Sequence, residues 1–319
     1  MTQISRRRFL AMTAVLPLAG RASASTPVAR FRGAALGSAA SLTLAHPEAD
    51  RIATRVWAEV ERLENVFSLY KPESSLSRLN AAGALDGPPF ELLECLSLAG
   101  AVHAVTGGAF DPTVQPLWAE YARAVTDGRA PDPDAVMPLV GWAGVSVAPG
   151  RIALARHGMA LTLNGIAQGF IADRVAALLR SEGLVDILID TGEIRALGSD
   201  PRGGPWSARI VDGPAVPLRD RALATSAPLG TAFDEAGRIG HILDPRTGLP
   251  AAAGWRQISV SAPSAALADA CSTAFCLMTR KAIQATLDQL PEVQVIPTAL
   301  GIDPGPGSGG NGAHDLWLG

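Results

Sequence analysis

Apolar residues recur at three- and four-residue spacing in the first third of the chain, which is the spacing of one helix face. The pattern predicts an amphipathic helix over residues 48–66, whose apolar positions are Ile52, Val56, Val60, Leu63 and Val66. A second helix is predicted over 90–105, because the apolar run stops there at two glycines. The polar stretch between the two helices, 68–80, is predicted to be a loop.

Strands are predicted where apolar and polar residues alternate, or where short apolar runs lie between turn residues. Apolar and polar residues alternate over 30–44, which predicts one strand. Gly33 and Gly37 favour a close approach of another group to the backbone of this strand. Apolar runs on both sides of a Pro-Gly pair predict a hairpin over 145–155. The remaining predicted strands are 185–189, 194–197, 222–226, 239–243, 257–261 and 293–297.

Two later helices are predicted, over 165–182 and 265–278. Strands and helices therefore follow one another without the strict alternation of a parallel βαβ sheet, and the predicted fold class is α+β, with mixed or antiparallel sheets and packed helices. No Pro- or Gly-rich linker interrupts the middle of the chain, so residues 25–303 are predicted to form one domain with sub-lobes. The segment 304–319 begins with Pro, Gly, Ser and Asn and is predicted to be a disordered tail.

Composition narrows the classes of function. The 319 residues carry 27 Lys and Arg against 30 Asp and Glu, a net charge of −3, with no basic block. Nucleic acid is therefore not expected as a partner, because binding to a phosphate backbone needs concentrated positive charge. No apolar run reaches the roughly 18 to 20 residues of a membrane helix, so no membrane span is expected. The cysteines are interpreted as small buried apolar residues: Cys95, Cys271 and Cys276.

The first 24 residues have the pattern of an export signal. The charged segment 5–10, Ser-Arg-Arg-Arg-Phe-Leu, is followed by a short apolar segment and by Ala-Ser-Ala at 22–24, which is typical of a cleavage site. The paired arginines resemble the twin-arginine export signal. An ordinary secretory signal or an uncleaved anchor is the alternative. The sequence therefore predicts a periplasmic protein.

Two segments combine glycine with polar side chains where the backbone could approach a ligand. Residues 107–113, Gly-Gly-Ala-Phe-Asp-Pro-Thr, follow a predicted helix, and the Asp111-Pro112 pair favours an extended turn that presents a carboxylate. A plain helix end and turn is the alternative. The segment 161–173 changes from strand to helix at Gly165, where free N–H groups suit a phosphate. Tight strand–helix contact explains this second segment equally well.

Two later segments carry candidate catalytic and metal-binding side chains. His241 stands at a predicted strand end and, with an ordinary pKa of about 6.5, could act as a general base. A hydrogen-bonded structural histidine is the alternative. In the late helix, Asp269 and Thr273 are four residues apart, so their oxygen atoms share one face and suit Mg²⁺. The alternative is that Thr273 bonds back to the helix and Asp269 caps it.

Ordered segments of the chain together resemble one family. They are 36–38, 67–70 with 74–80, 108–113, 164–173, 191–194, 224–226, 241–248 and 268–273. From about Gly33 to about Pro297 the chain is similar to the FAD:protein FMN transferases, the ApbE family. The resemblance implies an ApbE-like, T-fold-like α+β architecture. It also implies an enzyme that uses Mg²⁺ to transfer FMN from FAD, through its phosphate, to a threonine of a target protein and releases AMP.

The resemblance implies roles for individual residues. The FAD site would be formed by Leu36, Tyr70, Ala109, Phe110, Asp111, Thr162, Gln168 and Ile242. Mg²⁺ would be held by Asp269, Thr273 and the carbonyl of Gly165, with Ser272 where some members have a further carboxylate. His241 would take the proton from the acceptor threonine. The implied partners are FAD and a membrane-bound electron-transfer protein that carries the acceptor threonine.

The chain departs from the family pattern at three positions. Thr162 stands where Asp is usual, Gln168 where Lys or Glu is common, and Thr191 replaces the first of two glycines. The segment 161–169 is similar to that of an exported branch that includes accessory flavin transferases of nitrous-oxide respiration. Two alternative functions stay open, namely hydrolysis of FAD to FMN and AMP, and a non-catalytic flavin carrier or assembly factor.

Overall fold

The computed structural model describes residues 26–252 and 254–299. The helices in these ranges are Ala49–Phe67 (α1), Ser75–Ala82 (α2), Phe90–Val105 (α3), Gln115–Thr126 (α4), Ala167–Ser181 (α5), Ala265–Phe275 (α6) and Arg280–Leu287 (α7). The strands there are Ala29–Ala35 (β1), Ser38–Leu44 (β2), Ala84–Asp86 (β3), Val145–Ala148 (β4), Arg151–Leu154 (β5), Ile187–Asp190 (β6), Ile194–Leu197 (β7), Trp206–Arg209 (β8), Ala215–Leu218 (β9), Ala222–Ser226 (β10), Trp255–Ala262 (β11) and Gln294–Ala299 (β12). The predicted export signal and the predicted tail lie outside the described residues.

The largest sheet has seven strands in the order β1-β2-β6-β7-β10-β11-β12, and each neighbouring pair is antiparallel. A three-stranded sheet, β3-β5-β4, and a two-stranded sheet, β8-β9, are antiparallel as well. The prediction of an α+β fold with antiparallel sheets is therefore confirmed.

Alternate residues of the large sheet belong to two clusters of buried side chains. Ala222 and Ala224 of β10 lie in the main core, which they share with α1, α3, α5 and α6. Leu223, between them, packs in a smaller cluster around Trp206. This division follows from the two-residue repeat of a strand. The indole Nε1 of Trp206 donates to the carbonyl of Leu197 at 2.9 Å, so the buried ring keeps a hydrogen-bond partner.

Helix α6 lies deep in the main core, and α5 crosses it at Gly169. A Cβ at this position would lie 2.3 Å from the carbonyl oxygen of Ala265, so only glycine permits the contact. The same approach brings the N–H of Gly169 to 3.2 Å from Asp269 Oδ2. The helix crossing therefore places an acidic side chain of α6 at the start of α5.

Residues 30–44 form a hairpin, so the prediction of one strand was wrong. Leu36 and Gly37, with φ of 48° and 82°, make the two-residue turn between β1 and β2. Positive φ at both central positions suits the twist of a tight hairpin, but leucine at the first position gives no turn signal. The predicted close approach is confirmed at Gly33, where a Cβ would lie 2.9 Å from the Trp57 ring.

The second half of the predicted loop 68–80 is helix α2. Ser74 caps this helix, because its hydroxyl accepts from the N–H of Ser77 at 3.0 Å. Leu76 and Leu79 are fully buried. Two apolar residues three positions apart were too few to reveal the helix against the polar residues around them.

The predicted strand 239–243 is also absent. This segment makes only isolated bridges, between Ala232 and Gly240 and between Leu243 and Pro250. Leu243 is buried against Leu117 and Tyr121 of α4, and Ile242 is buried in the main core, so this segment has the same apolar pattern as a strand. Helices α4 and α7 and strands β3, β8 and β9 were not predicted.

The other predicted helices and strands are confirmed close to their predicted ends. All three cysteines are free and buried, as expected. Burial raises the pKa of Cys271 and Cys276 to about 12, so both stay thiols. No helix in the described ranges is long and apolar enough to cross a bilayer.

Candidate active site

A cavity of about 360 Å³ opens where the ends of several elements meet. Its walls come from the loop after α3, the segment before α5, the end of β10 and the middle of α6, together with the segment 241–245. Ten residues implied by the sequence line this cavity: Ala109, Phe110, Asp111, Thr162, Gly165, Gln168, His241, Ile242, Asp269 and Thr273. The fold thus brings together segments that are far apart in the chain.

Three implied site residues lie outside these walls. Leu36 is in the β1–β2 turn, where its N–H donates to Glu64 Oε1 at 2.7 Å. Tyr70 follows α1 and is 78% exposed. Ser272 is fully buried within α6, and its hydroxyl donates to the carbonyl of Asp269 at 2.9 Å. Their roles in binding FAD or metal stay predictions.

His241 has the protonation state that a general base needs. Its Nδ1 lies 2.9 Å from the carbonyl oxygen of Thr231, and Nδ1 carries the proton because a carbonyl only accepts. The basic nitrogen of the neutral ring is then Nε2. Burial lowers the pKa of His241 below its ordinary value, although the carbonyls of Thr231 and Pro228 act in the opposite direction. The imidazole is therefore mainly neutral at pH 7.

Asp269 and Glu193 are two of the three buried carboxyl groups that line the same cavity, and Asp111 is the third. Burial raises the pKa of Asp269, and the hydrogen bond from the N–H of Gly169 opposes this shift. Burial, followed by the nearby charge of Asp269, raises the pKa of Glu193 well above its ordinary value. Both carboxylates have lost hydration that a bound cation would replace.

Oxygen atoms suited to a hard cation meet beside Asp269. Thr273 lies one turn further along α6, and a Cβ on Gly165 would come within 2.9 Å of Thr273 Oγ1. Gly165 has no Cβ, so its main chain lies next to the Thr273 hydroxyl, in the wall that also contains the Asp269 carboxylate. Mg²⁺ binds hydroxyl, main-chain carbonyl and carboxylate oxygen atoms. The residues present therefore fit the Mg²⁺ ion that the family resemblance implies. Ser272, and not Thr273, makes the hydrogen bond back to the helix.

The described residues do not hold three or more His, Cys, Asp or Glu side chains grouped as a metal site. A cation beside Asp269 would therefore need hydroxyl and main-chain oxygen atoms in addition to the carboxylate. Mg²⁺ commonly keeps water molecules and takes only one or two protein carboxylates, so this donor set is compatible with it.

Asp111 holds the loop after α3 in place. Its Oδ1 accepts from the N–H and the hydroxyl of Thr113 at 2.8 and 2.6 Å, and its Oδ2 accepts from the N–H of Trp142 at 3.1 Å. These bonds cap a 3₁₀ turn that begins at Pro112. Asp111 is thus a turn residue that also lines the cavity, and its role in binding FAD stays a prediction.

The charge of the wall restricts how an anion can bind. Among the described residues that line the cavity, three carry carboxyl groups and none is Lys or Arg: the three are Asp111, Glu193 and Asp269. A pyrophosphate group would meet like charge there without a side-chain cation to offset it. Backbone N–H groups at the start of α5, next to Gly165 and Gln168, and a bound metal ion can supply the attraction.

Comparison with known proteins identifies the family. The ApbE family pattern matches residues 36–297. The chain belongs to the ApbE family. A protein of Treponema pallidum (strain Nichols) named FAD:protein FMN transferase is 33% identical over 275 residues, which cover 76% of this chain and 75% of that one. The family expected from the sequence is therefore confirmed.

Solved structures of ApbE proteins share the fold. The Thermotoga maritima protein has a TM-score of 0.76 at 24% identity, and the match covers 85% of this chain and 94% of that one. The Pseudomonas stutzeri flavinyl transferase ApbE, in its apo form, has a TM-score of 0.75 at 25% identity, with 86% and 93% covered. The ApbE-like α+β architecture is thereby confirmed.

The departures from the ApbE-family pattern have local hydrogen bonds of their own. The hydroxyl of Thr191 donates to the carbonyl of Gln168 at 2.9 Å and ties the β6–β7 turn to α5. The next residue, Gly192, lies against the Gln168 amide, because a Cβ there would be 2.8 Å from Nε2. The hydroxyl of Thr162 accepts from the N–H of Asn164 at 3.2 Å. Thr162 and Gln168 thus line the cavity without adding charge.

Several residues of the ApbE-family cavity were not singled out from the sequence, among them Trp118, Glu193, Ser226 and Leu243. Glu193 lies in a matched segment, but an acid just after a turn is normally solvent-exposed. In the fold it is buried near Asp269 of α6 and the main chain of Thr225 in β10. Ser226 is the last residue of the predicted strand 222–226. A small hydroxyl residue at the end of a strand was the sequence feature that could have indicated it as a site residue.

Proposed function

We propose that this chain transfers FMN from FAD to a threonine hydroxyl of a target protein. The threonine oxygen forms a bond to the phosphorus on the FMN side of the pyrophosphate, and the bond from that phosphorus to the AMP oxygen breaks. AMP leaves with the electron pair. The proton of the hydroxyl passes to Nε2 of His241.

The observation that carries this proposal is that a neutral histidine and an oxygen-rich acidic wall line one cavity. His241 holds its Nδ1 proton on the Thr231 carbonyl, so Nε2 can accept the hydroxyl proton. Asp269 and Thr273 line the same cavity. A base within reach of the hydroxyl contributes roughly 10²- to 10⁴-fold to such reactions.

We further propose that the reaction depends on Mg²⁺ held by Asp269, Thr273 and the carbonyl of Gly165. Mg²⁺ bound there would neutralise the pyrophosphate and the charge that develops on it during transfer. Support comes from the lack of Lys and Arg among the described lining residues, since the wall alone would repel FAD. Residues of this chain orient the nucleotide, and one of them, His241, accepts the proton.

The experiment that tests transfer uses FAD, MgCl₂ and a protein with a proven acceptor threonine. The wild-type chain should give a flavin-fluorescent band that survives denaturing electrophoresis, with one AMP released for each flavin attached. The acceptor with threonine replaced by valine should give neither product. A wild-type chain that binds FAD but labels no proven acceptor would contradict transfer. AMP release without any acceptor would instead indicate FAD hydrolysis.

Two variants separate catalysis from carriage of flavin. In a transferase, His241→Ala should slow labelling by roughly 10²- to 10⁴-fold and Asp269→Ala should abolish it, while a carrier would lose at most affinity for FAD. Labelling that persists in both variants would reject the roles proposed for these residues.

We also propose that the chain acts in the periplasm on a membrane-bound electron-transfer protein. Support comes from the signal pattern of residues 1–24, which lies outside the described residues. Replacing Arg6 and Arg7 together with lysine should leave the protein in the cytoplasm, as measured by fractionation. Export of that variant would contradict the twin-arginine route. The link to nitrous-oxide respiration stays a prediction.

A further inference from the structure

A line of hydrogen bonds runs from the cavity into α6. Thr273 Oγ1 lies 3.3 Å from Ser226 Oγ, and Ser226 Oγ lies 2.7 Å from Ser272 Oγ. Ser272 Oγ in turn lies 2.9 Å from the carbonyl oxygen of Asp269. Thr273 and Ser226 line the cavity, whereas Ser272 is fully buried. We refer to this line of three hydroxyls and one carbonyl as the hydroxyl relay.

The carbonyl at the inner end determines the direction of every proton in the hydroxyl relay. A carbonyl only accepts, so the hydroxyl of Ser272 donates to Asp269. A hydroxyl has one proton, and Ser272 must therefore accept from Ser226. Ser226 has then used its own proton and must accept from Thr273. The proton of Thr273 consequently points towards Ser226.

We propose that Ser226 is a positioning residue of the metal site. It acts by accepting a hydrogen bond from the hydroxyl of Thr273. With that proton turned towards Ser226, the lone pairs of Thr273 Oγ1 are free for a cation. A proton turned into the site would instead present its positive end to the metal. This inference rests on the Mg²⁺-dependent function proposed above.

The position of Ser226 is fixed by contacts with α6 that do not involve its hydroxyl. The thiol of Cys276 donates to the main-chain carbonyl of Ser226 at 3.5 Å, which ties the end of β10 to the helix. Hydroxyl–hydroxyl bonds are commonly about 2.5 to 3.0 Å long, so the contact with Thr273 is the loosest of the relay. Because main-chain contacts with Cys276 and Ile258 hold Ser226 in place, removing its hydroxyl should disturb metal binding more than folding.

The first test measures Mn²⁺ binding as the loss of the free-ion electron paramagnetic resonance signal, with FAD present and a FAD-only blank. Ser226→Ala should raise the Mn²⁺ dissociation constant by roughly 10-fold or more, as residues that orient metal ligands commonly do. Ser226→Thr keeps the hydroxyl and should stay near wild type. Ser181→Ala is the control for loss of a serine hydroxyl away from the metal site, because the Ser181 hydroxyl donates to the carbonyl of Leu178 at 2.7 Å and does not line the cavity.

The second test separates positioning from a structural role. In Ser226→Ala the Mg²⁺ concentration for half-maximal labelling should rise by the same factor, while the rate at saturating Mg²⁺ changes less and the melting temperature stays within a few degrees. Adding Ser272→Ala to Ser226→Ala should have little further effect, because the relay is already broken. A loss of rate at every Mg²⁺ concentration together with a lower melting temperature would overturn the proposal.

Mn²⁺ binding by Ser226→Ala and Asp269→Ala distinguishes a failure of the hydroxyl relay from a failure of the proposed metal site. If wild type and Ser226→Ala bind Mn²⁺ equally while Asp269→Ala does not bind it, the metal site stands and the hydroxyl relay is rejected. If wild type and Asp269→Ala bind Mn²⁺ alike, the metal site itself is rejected, and the relay with it.

Discussion

Gly169 and Asp269 are joined by a hydrogen bond of 3.2 Å, from the main-chain N–H at the start of α5 to Oδ2 in the middle of α6. The contact exists because α5 and α6 touch at Gly169, where even a methyl group would not fit. One glycine thus serves both the core and the cavity, since the helix crossing that it permits also places the acidic group.

Gly169→Ala should destabilise the protein by about 1 to 3 kcal/mol, because its Cβ would lie 2.3 Å from the Ala265 carbonyl and the helices must separate. Denaturant unfolding measures this change. Gly150→Ala is the matched control, since a Cβ there meets no atom within 4 Å. Equal stability of the two variants would contradict the close crossing.

Gly165→Ala should weaken Mg²⁺ binding more than it weakens the fold. Its Cβ would fall 2.9 Å from Thr273 Oγ1, a proposed metal ligand, and would displace that hydroxyl. We expect the Mg²⁺ concentration for half-maximal activity to rise at least several-fold, in line with the effect of disturbing metal ligands. An unchanged Mg²⁺ requirement would place the metal elsewhere. Gly150→Ala again serves as the control.

Asp269→Asn should stabilise the metal-free protein at pH 8 by on the order of 1 kcal/mol. The folded protein holds the pKa of Asp269 above its ordinary value of 3.8, so the folded state binds more protons than the unfolded state. Stability of the metal-free wild type should therefore fall as pH rises from 3.8 through that raised pKa. The asparagine side chain of Asp269→Asn does not ionise, so the variant does not lose stability in this way as pH rises.

The measurement for Asp269 is urea unfolding in EDTA at pH 5 and at pH 8. The advantage of Asp269→Asn should be larger at pH 8, and saturating Mg²⁺ should reverse it by binding only the wild type. Glu61→Gln, at an exposed position of α1, is the control for loss of a carboxylate. A variant that is less stable than wild type at pH 8 in EDTA would show that the carboxylate stabilises the empty site.

Activity should fall on the acid side with an apparent pKa below 6.5. The base must be neutral, and burial lowers the pKa of His241, so the ring stays neutral to a lower pH than a free histidine. The profile of kcat/KM against pH at saturating Mg²⁺ measures this limb. His241→Ala should lose roughly 10²- to 10⁴-fold in rate. An acid limb that persists unchanged in the residual activity of this variant would belong to another group.

The long helices were predictable because one apolar face repeats over many turns. Helix α1 follows its predicted apolar positions, and α3 ends at the glycines that predicted its end. The hairpin turn at Leu36 was not predictable, because leucine rarely adopts positive φ and is held there by the strands. The segment 239–243 shows the converse, since its apolar residues are buried against α4 and the main core although the segment makes only isolated bridges.

The candidate site was partly predictable. Asp269 and Thr273 share a helix face by their spacing alone, and His241 was the histidine in a matched segment. Neither spacing nor composition shows which hydroxyl bonds back to the helix, and here it is that of Ser272. The buried Glu193 and the contact between Ser226 and Thr273 depend on strands and helices that meet from distant parts of the chain.

The sequence by itself determined the family, the α+β class and ten of the residues that line the cavity, because these follow from local periodicity and from the resemblance of ordered segments to the family. Only the tertiary structure decided that Nε2 of His241 is the basic nitrogen, that three carboxyl groups share a wall without Lys or Arg among the described lining residues, and that Ser226 Oγ lies 3.3 Å from Thr273 Oγ1. Burial and hydrogen-bond direction depend on neighbours in space, and most of those neighbours are remote in the chain.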